Sequence, residues 1–338
     1  MSELRQVVSE ILDGAGVLLP PHRELRVRQG AYAAGQRLLP RALGDADLLK
    51  EGARSLDLTE PALTRILGYG WQQAEGLAFL AGTPASLRPQ VCHAGALFNL
   101  GIVLFDRILD RFSDRAVLLS QYVTPTFLAA HLSEMPPKMK LSGDVAIDAL
   151  MALIVEFLAR SRRLGGDRHG HAALGAQLHA MHLAECESGA NLRDHSSPTL
   201  AVWRALRRKS ALPTATLSRL ALLAAPNRGD GRRAATVASA RIAGEAIWIA
   251  DDLADIHEDW VAGNWSRPLW WLARASYDVP RNIEDALRRV VDGGLAEAEA
   301  RRLALRLFQL REIADDYGSA FVRSFQAIVH AWLEEFPD

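Results

Sequence analysis

Apolar residues recur every three to four positions along almost the whole sequence. This spacing places apolar side chains on one face of an α-helix. Runs that alternate apolar and polar residues, as strands do, are missing, and no Asn-Gly or Asp-Gly turn joins two β-branched runs. Ala, Leu and Arg, which are good helix formers, are frequent throughout. The sequence therefore predicts an all-α protein.

The chain is long enough for a large core, with 338 residues of which 49% are hydrophobic. No linker, internal repeat or low-complexity tract divides it. We predict a single domain over residues 1–338, a bundle of roughly twelve helices whose central members are long enough to line a deep cavity.

Charge and cysteine content narrow the function classes. The net charge is −1, from 39 basic and 40 acidic residues, which gives no electrostatic footprint for nucleic acid or an anionic membrane. No apolar run approaches the ~20 residues of a spanning helix, and the N-terminus lacks a signal-peptide pattern. Cys92 and Cys186 lie far apart in apolar helical contexts, which predicts buried free thiols. The prediction is a cytoplasmic protein without a membrane span.

An acidic cluster ends the apolar helix predicted to reach Glu258. Asp251 and Asp255 lie one turn apart on one helix face, with Asp252 beside them. Carboxylates this close repel one another, and the repulsion grows when apolar neighbours exclude water. A hard cation such as Mg²⁺ relieves it, since Mg²⁺ binds through one or two carboxylates and substrate phosphates. The alternative is a solvated acidic helix end.

A second acidic cluster ends another apolar helix, predicted over Leu87–Asp114. Asp106 and Asp110 are again one turn apart near the end of the apolar run. Arginines interleave with these aspartates at Arg107, Arg111 and Arg115. Taken alone, the pattern is that of a salt-bridged helix face. Two such helices in one chain instead indicate a pair of metal-binding helix ends.

Together these motifs resemble those of the trans-isoprenyl diphosphate synthases and class I terpene synthases. The segment from Gly244 to Asp255 is similar to the second aspartate-rich motif of that superfamily, including the leading glycine. Asp106-x-x-x-Asp110 occupies the place of the first motif. Arg208-Lys209-Ser210 resembles the Lys-Thr segment that precedes the second motif by about forty residues in those families. The resemblance covers about residues 90–270 and implies the isoprenoid synthase fold.

The resemblance also implies a site and a chemistry. In those families three Mg²⁺ ions bridge two aspartate clusters and an allylic prenyl diphosphate. The corresponding metal ligands here are Asp106, Asp110, Asp251, Asp252 and Asp255. Lys209 and Arg115 would neutralise the leaving pyrophosphate, and Arg267 would cap the diphosphate from the loop after the second motif.

The carbocation left by ionisation would lie among apolar helices, where aromatic faces stabilise it by ~0.5–2 kcal/mol per ring. Trp248, one turn before Asp251, is the first candidate for this role. Phe98 and Phe105 are further candidates, although core packing explains an aromatic equally well. The resemblance also brings Glu185 or His182 near the substrate, because the corresponding helix in those families places polar side chains near the cavity.

Departures from the prenyltransferase pattern affect the second substrate. Arg107 stands at the second aspartate of the first motif, and Ala116 follows Arg115 where chain-elongating enzymes have a second arginine. Gly35-Gln36-Arg37 only faintly resembles the upstream Gly-Gly-Lys-Arg segment. A second diphosphate without paired basic residues would be poorly held. We therefore predict a Mg²⁺-dependent terpene synthase, a carbon–oxygen lyase that needs one prenyl diphosphate.

Two other interpretations stay open. One is a prenyltransferase that joins the allylic diphosphate to isopentenyl diphosphate or another acceptor. The other is a helical scaffold without catalytic activity, whose aspartates are solvated. The spacing His179-x-x-His182-x-x-Glu185 could suggest a transition-metal site, but it also suits a polar patch of an ordinary helix. A homodimer would be in keeping with the resemblance, although the sequence carries no interface signature.

Overall fold

The computed structural model describes residues 3–42, 46–111, 113–190, 193, 198–225, 229–275, 280–315 and 320–335. Within these ranges the chain forms sixteen α-helices and no β-strand, which confirms the all-α prediction. The helices are α1 (Glu3–Gly14), α2 (Pro21–Ala42), α3 (Ala46–Ser55), α4 (Glu60–Ala81), α5 (Arg88–Arg111), α6 (Ser113–Tyr122), α7 (Pro125–His131), α8 (Val145–Arg163), α9 (Arg168–Ala190), α10 (Leu200–Leu223), α11 (Asp230–Ala254), α12 (Ile256–Ala262), α13 (Arg267–Ala275), α14 (Ile283–Asp292), α15 (Leu295–Asp315) and α16 (Ala320–Glu335).

Capping residues define several of the helix starts that the sequence indicates. Thr59 caps α4 and its hydroxyl accepts from the backbone N–H of Ala62, with a proline in the first turn. Thr124 caps α7 in the same way, accepting from Phe127 N at 3.1 Å. Both starts are where the Thr-Glu-Pro and Thr-Pro sequences predict them.

Helix breaks are harder to predict than starts. The sequence predicts one helix through to Glu258, but α11 ends at Ala254 and α12 begins at Ile256, so Asp255 lies between two helices. A proline usually ends or kinks a helix, yet α10 continues through Pro213 to Leu223. An internal proline costs ~3 kcal/mol. Packing of α10 against α4, α9 and α11 supplies enough to offset that cost.

The bundle is organised around α4, which packs against α2, α5, α10, α11 and α16. The next helix along the chain, α5, lies between α4 and α8, while α10 lies between α9 and α11. The fully buried side chains at the centre are mostly leucines of α4 and α5, such as Leu67, Leu77, Leu97 and Leu104. One apolar cluster runs from α1 to α16, so the core is continuous.

Two glycines of α5 differ in what they pack against. A Cβ on Gly95 would lie 2.3 Å from Ala74 Cβ, so this glycine allows α4 and α5 to approach closely. A Cβ on Gly101 would meet nothing nearer than Leu150 Cδ1 at 4.0 Å. Close helix packing therefore requires glycine at position 95 but not at position 101.

The stretch Arg88–Leu109 of α5 is long and apolar enough to cross a membrane by length and composition. Most of its apolar window, 61%, is buried inside the bundle, as in a core helix. The sequence-based statement that no apolar run approaches a spanning length was therefore too strict. Both cysteines are free thiols as predicted, with Cys92 buried and Cys186 half-buried.

Candidate active site

The first acidic helix, α5, runs antiparallel to α10. Near the start of α5, Gly95 lies against Leu217 of α10. Near its end, Asp106 contacts Lys209, two turns earlier along α10. The C-terminal end of α5 is therefore on the same side of the bundle as the N-terminal half of α10.

The second acidic helix, α11, also runs antiparallel to α10. Thr214 Oγ1 donates to the carbonyl of Ala240 at 2.9 Å, and further along the pair the rings of Trp203 and Trp248 are 4.9 Å apart. Since α5 and α11 are both antiparallel to α10, they run parallel to each other. Their aspartate-bearing C-terminal ends thus lie at the same end of the bundle.

Three helices meet at the acidic end of α5. The ammonium of Lys209 on α10 lies 3.0 Å from Asp106 Oδ1 on α5 and 3.2 Å from Glu185 Oε2 on α9. The side chain of Asp106 is 42% exposed, whereas that of Glu185 is 9% exposed. Lys209 thus pairs with one buried carboxylate, that of Glu185, and with one partly exposed carboxylate, that of Asp106.

Two predicted site residues near this end lie outside the described side chains. Asp110 is within α5 and Arg115 is within α6. Arg107, which stands at the second aspartate position of the first motif, donates from Nη1 to the carbonyl of Leu56 at 3.4 Å. Its guanidinium therefore contacts the end of α3.

The acidic end of α11 is more enclosed. Asp251 and Asp255 are half-buried, and Asp252 is buried. Asp252 Oδ2 accepts a hydrogen bond from the backbone N–H of Arg267, the first residue of α13, at 2.5 Å. This carboxylate therefore caps a helix N-terminus, where a negative charge is favoured.

Burial raises the pKa of Asp252 well above its usual value, and the negative charges of Asp259 and Asp251 raise it further. The hydrogen bond from Arg267 N and the charge of Arg267 act in the opposite direction. The cluster of three acidic side chains thus carries a repulsion that a bound cation would reduce.

An apolar pocket lies beneath the acidic end of α5. Fourteen residues of α5, α7, α8, α9 and the segment after α6 line it, and its empty volume is about 510 Å³, part of it open to solvent. Phe98 and Phe105, the two phenylalanines named as candidates near the substrate, are both in its wall. Phe105 immediately precedes Asp106, so this end of the pocket lies next to the Lys209 cluster.

Arg267 and Trp248 lie elsewhere than expected. Arg267 is 4% exposed, and its Nε donates to Glu299 Oε2 of α15 at 2.8 Å. Its guanidinium also lies 4.3 Å from the Trp248 ring and 4.9 Å from the Trp203 ring. Arg267 is therefore engaged in the core rather than at the pocket mouth, and Trp248 packs on Arg267 rather than lining the pocket.

The histidines of α9 do not form the transition-metal site that their spacing could suggest. The rings of His179 and His182 are 6.4 Å apart, and His179 Nδ1 contacts the carbonyl of Val123 at 3.2 Å. Among the described residues, no group of three or more His, Cys, Asp or Glu side chains is arranged to hold a metal ion by itself.

The donors at the two acidic ends nevertheless fit Mg²⁺ in its usual mode. Mg²⁺ keeps several waters and binds through one or two carboxylates together with substrate phosphates. Asp106 at one end, and Asp251 and Asp255 at the other, offer carboxylate oxygens that are at least partly exposed. Burial, and next the negative charges of Asp259 and Asp251, raise the pKa of Asp252, so a bound cation would favour its ionised form. These residues thus suit a metal completed by a diphosphate.

One residue that the sequence did not single out belongs to these surroundings. Glu299 pairs with Arg267 from α15, and nothing in its helical sequence context distinguishes it from neighbouring glutamates. His182, whose role the sequence left open between a metal site, a polar patch and a place near the substrate, lines the apolar pocket. Its spacing of three from Glu185 puts both side chains on the same face of α9.

Comparisons with known proteins support the fold. No family model and no curated protein sequence matches the chain. Solved structures do match it, among them a polyprenyl synthase from Caulobacter crescentus complexed with calcium and isoprenyl diphosphate. That match has a TM-score of 0.55 at 14% identity and covers 92% of this chain and 97% of the other.

Two archaeal enzymes show the same likeness. Geranylgeranyl pyrophosphate synthetase from Pyrococcus horikoshii matches with a TM-score of 0.56 at 12% identity, over 88% of this chain and 98% of the other. The corresponding enzyme from Geoglobus acetivorans matches with a TM-score of 0.50 at 14% identity, over 85% and 97%. The chain therefore has the all-α fold of the isoprenyl diphosphate synthases, which confirms the fold predicted from the aspartate motifs.

Proposed function

We propose that this protein is a Mg²⁺-dependent enzyme that ionises an allylic prenyl diphosphate and transfers the prenyl group to an acceptor. The observation that carries the proposal is the Lys209 ammonium held between Asp106 and Glu185 next to one end of an apolar pocket. A cation beside carboxylates, close to an apolar cavity, suits a substrate with an anionic head and a hydrocarbon tail.

Each end of the substrate is assigned to its own residues. Asp106, Asp110, Asp251, Asp252 and Asp255 would hold the metal ions, which supply Lewis-acid assistance to departure of the pyrophosphate. Lys209 and Arg115 add fixed positive charge where negative charge develops on the leaving group. Glu185 positions Lys209 from its buried side.

The tail of the substrate would lie in the pocket along Phe98 and Phe105. Water is excluded from an apolar cavity of this kind, which protects a carbocation from premature capture. The two ring faces stabilise positive charge on the tail. We assign no such role to Trp248 or Arg267, since they contact each other in the core.

Prenyl transfer is favoured over the cyclase reaction predicted first, because the solved structures of this fold that match the chain are prenyl diphosphate synthases. A terpene synthase reaction is the second candidate. Ala116 after Arg115 and the weak match of Gly35-Gln36-Arg37 to the upstream basic segment favour it, because both lack basic groups that would hold a second diphosphate. A cytoplasmic location and a homodimer stay predictions from the sequence.

Incubation of the purified protein with Mg²⁺ and geranyl, farnesyl or geranylgeranyl diphosphate, with and without isopentenyl diphosphate, tests the proposal. Elongated product formed only with the acceptor supports prenyl transfer. Hydrocarbon or alcohol formed from one diphosphate alone supports the terpene synthase. No pyrophosphate from any combination contradicts both and leaves the non-catalytic scaffold.

A further inference from the structure

We propose that His182 is the general base that removes the proton which ends the carbocation reaction. This inference rests on the proposed function. Of the fourteen described residues that line the apolar pocket, His182 alone carries a basic nitrogen. The others are aliphatic or aromatic side chains, one methionine and one glycine, and none of them accepts a proton at neutral pH.

The position of His182 suits a base near the reacting carbon. Its ring lies 5.7 Å from that of Phe105 in an edge-to-face arrangement, and Phe105 directly precedes Asp106. On its own helix His182 is one turn before Glu185, which holds Lys209. The imidazole thus lies at the end of the pocket nearest Asp106 and Lys209, where the carbon bonded to the diphosphate would be under the proposed function.

The imidazole ring of His182 is also contacted by a residue outside the pocket wall. Cys186 Sγ lies 3.8 Å from His182 Nε2 and 3.9 Å from Nδ1, and Cys186 is not among the residues that line the pocket. Burial raises the pKa of the Cys186 thiol, so the thiol stays protonated. His182 is only 3% exposed, which limits its access to bulk water.

The surroundings keep His182 in the form that accepts a proton. Burial lowers the pKa of His182, and the nearby charge of protonated His179 lowers it further. A neutral imidazole is therefore present at neutral pH. The pocket residues from α7 and α8 carry no ionisable group. The titratable or charged groups around this end of the pocket are His179, Glu185 and Cys186 on α9, Asp106 on α5 and Lys209 on α10.

The proposed step balances in atoms and electrons. The C–O bond of the allylic diphosphate breaks and both electrons leave with pyrophosphate. In prenyl transfer the π-electrons of the acceptor then form the new C–C bond and leave a new cation. A C–H bond next to the cationic carbon breaks, its electron pair becomes a C=C bond, and the proton goes to the ring-nitrogen lone pair of His182. The imidazolium passes this proton to solvent when the product leaves.

The test compares His182→Gln with the matched control His179→Gln, one turn earlier on the same helix and absent from the pocket wall. Each protein receives Mg²⁺ and the prenyl diphosphate, with isopentenyl diphosphate where the wild type needs it. Two quantities are measured, pyrophosphate release and the ratio of products that lost a proton to alcohols that captured water. The ratio reports the fate of the cation independently of its rate of formation.

We expect His182→Gln to lower this ratio about tenfold or more while pyrophosphate is still released, since a positioned base contributes ~10²–10⁴-fold. His179→Gln should leave the ratio unchanged at pH 8. An unchanged ratio in His182→Gln overturns the base and leaves the proposed function intact. Absence of pyrophosphate release by the wild type overturns both.

The wild type supplies a second measurement in case His182→Gln does not fold. The proton-loss ratio should fall as the pH is lowered through the depressed pKa of His182, because an imidazolium accepts no proton. His179→Gln should move this fall to higher pH, since it removes a neighbouring charge that lowers the His182 pKa. A ratio that is independent of pH, or a fall that His179→Gln does not move, overturns the proposal.

Discussion

The two acidic helix ends share a sequence pattern but differ in their surroundings. At the end of α5, Asp106 is 42% exposed and meets only the flexible ammonium of Lys209 among the contacts described. At the end of α11, Asp252 is 9% exposed and is fixed by a backbone N–H of α13. The acidic end of α5 is therefore partly exposed to solvent, whereas the acidic end of α11 is buried against neighbouring helices.

The difference arises from what packs behind each helix. The end of α5 borders an apolar pocket. The end of α11 is backed by α13 and α15, with Arg267 and Glu299 paired beside a group of four tryptophans at positions 203, 248, 270 and 271. Under the proposed function, the enclosed α11 end would hold its carboxylates in place before the ligand binds, whereas the more exposed α5 end would be free to adjust to it.

Removal of the buried partner of Arg267 should have the largest effect. Glu299→Gln removes the carboxylate that pairs with the buried Arg267 and also with Arg302, and loss of one partner of a buried ion pair costs about 3–5 kcal/mol of unfolding free energy. The control Glu297→Gln breaks an exposed pair with Arg301 on the same helix and should cost about 0–1 kcal/mol. Urea denaturation measures both. Similar losses in the two variants would show that the α11 end does not depend on this pair.

Loss of one carboxylate at either end should lower activity next most strongly. Asp106→Asn and Asp251→Asn should each reduce Mg²⁺-dependent pyrophosphate release on the order of 10²–10³-fold, the range for removal of one preorganised electrostatic group. The control Asp230→Asn makes the same change at the opposite end of α11 and should have no effect. The rate of pyrophosphate release at saturating Mg²⁺ measures the effect. If Asp106→Asn retains activity while Asp251→Asn loses it, the metal would be assigned to the α11 end only.

Much of the fold follows from the sequence, because helix periodicity and caps are local properties. The two acidic ends could also be predicted, since both lie at the end of an apolar run. The positions of Trp248 and Arg267 could not be predicted, because periodicity shows which face of a helix is apolar but not which other helix covers that face. That neighbour comes from α13 and α15, which follow later in the chain. Position 267 was therefore assigned to a surface role although it lies in the core.

Added methyl groups on the two acidic helices should have opposite effects on stability. A Cβ on Gly244 would lie 2.6 Å from Thr214 Oγ1 and 2.9 Å from Ala211 Cα, so Gly244→Ala forces α10 and α11 apart at a cost of about 1–3 kcal/mol. Gly101→Ala on α5 meets only Leu150 at 4.0 Å and should gain about 0.5–1 kcal/mol. Thermal unfolding of the two variants measures the difference. Equal destabilisation would mean that α5 is packed as tightly at Gly101 as α11 is at Gly244.

The smallest expected effect is a pH dependence specific to the buried end. Asp252 has a raised pKa in the folded protein, so between its unfolded and folded pKa values the folded state holds a proton that the unfolded state has released. The contribution of Asp252 to the unfolding free energy is therefore fully present below the unfolded pKa. It is lost as the pH rises to the folded pKa, by at most about 1.4 kcal/mol per pH unit.

The variant Asp252→Asn tests this, because it keeps an oxygen that accepts from Arg267 N but cannot ionise. In EDTA its stability relative to wild type should rise with pH over that window, and added Mg²⁺ with pyrophosphate should reduce the advantage because it stabilises the ionised wild type. A difference that does not vary with pH would mean that Asp252 is no more strained than an exposed aspartate, and the contrast between the two helix ends would then be one of packing alone.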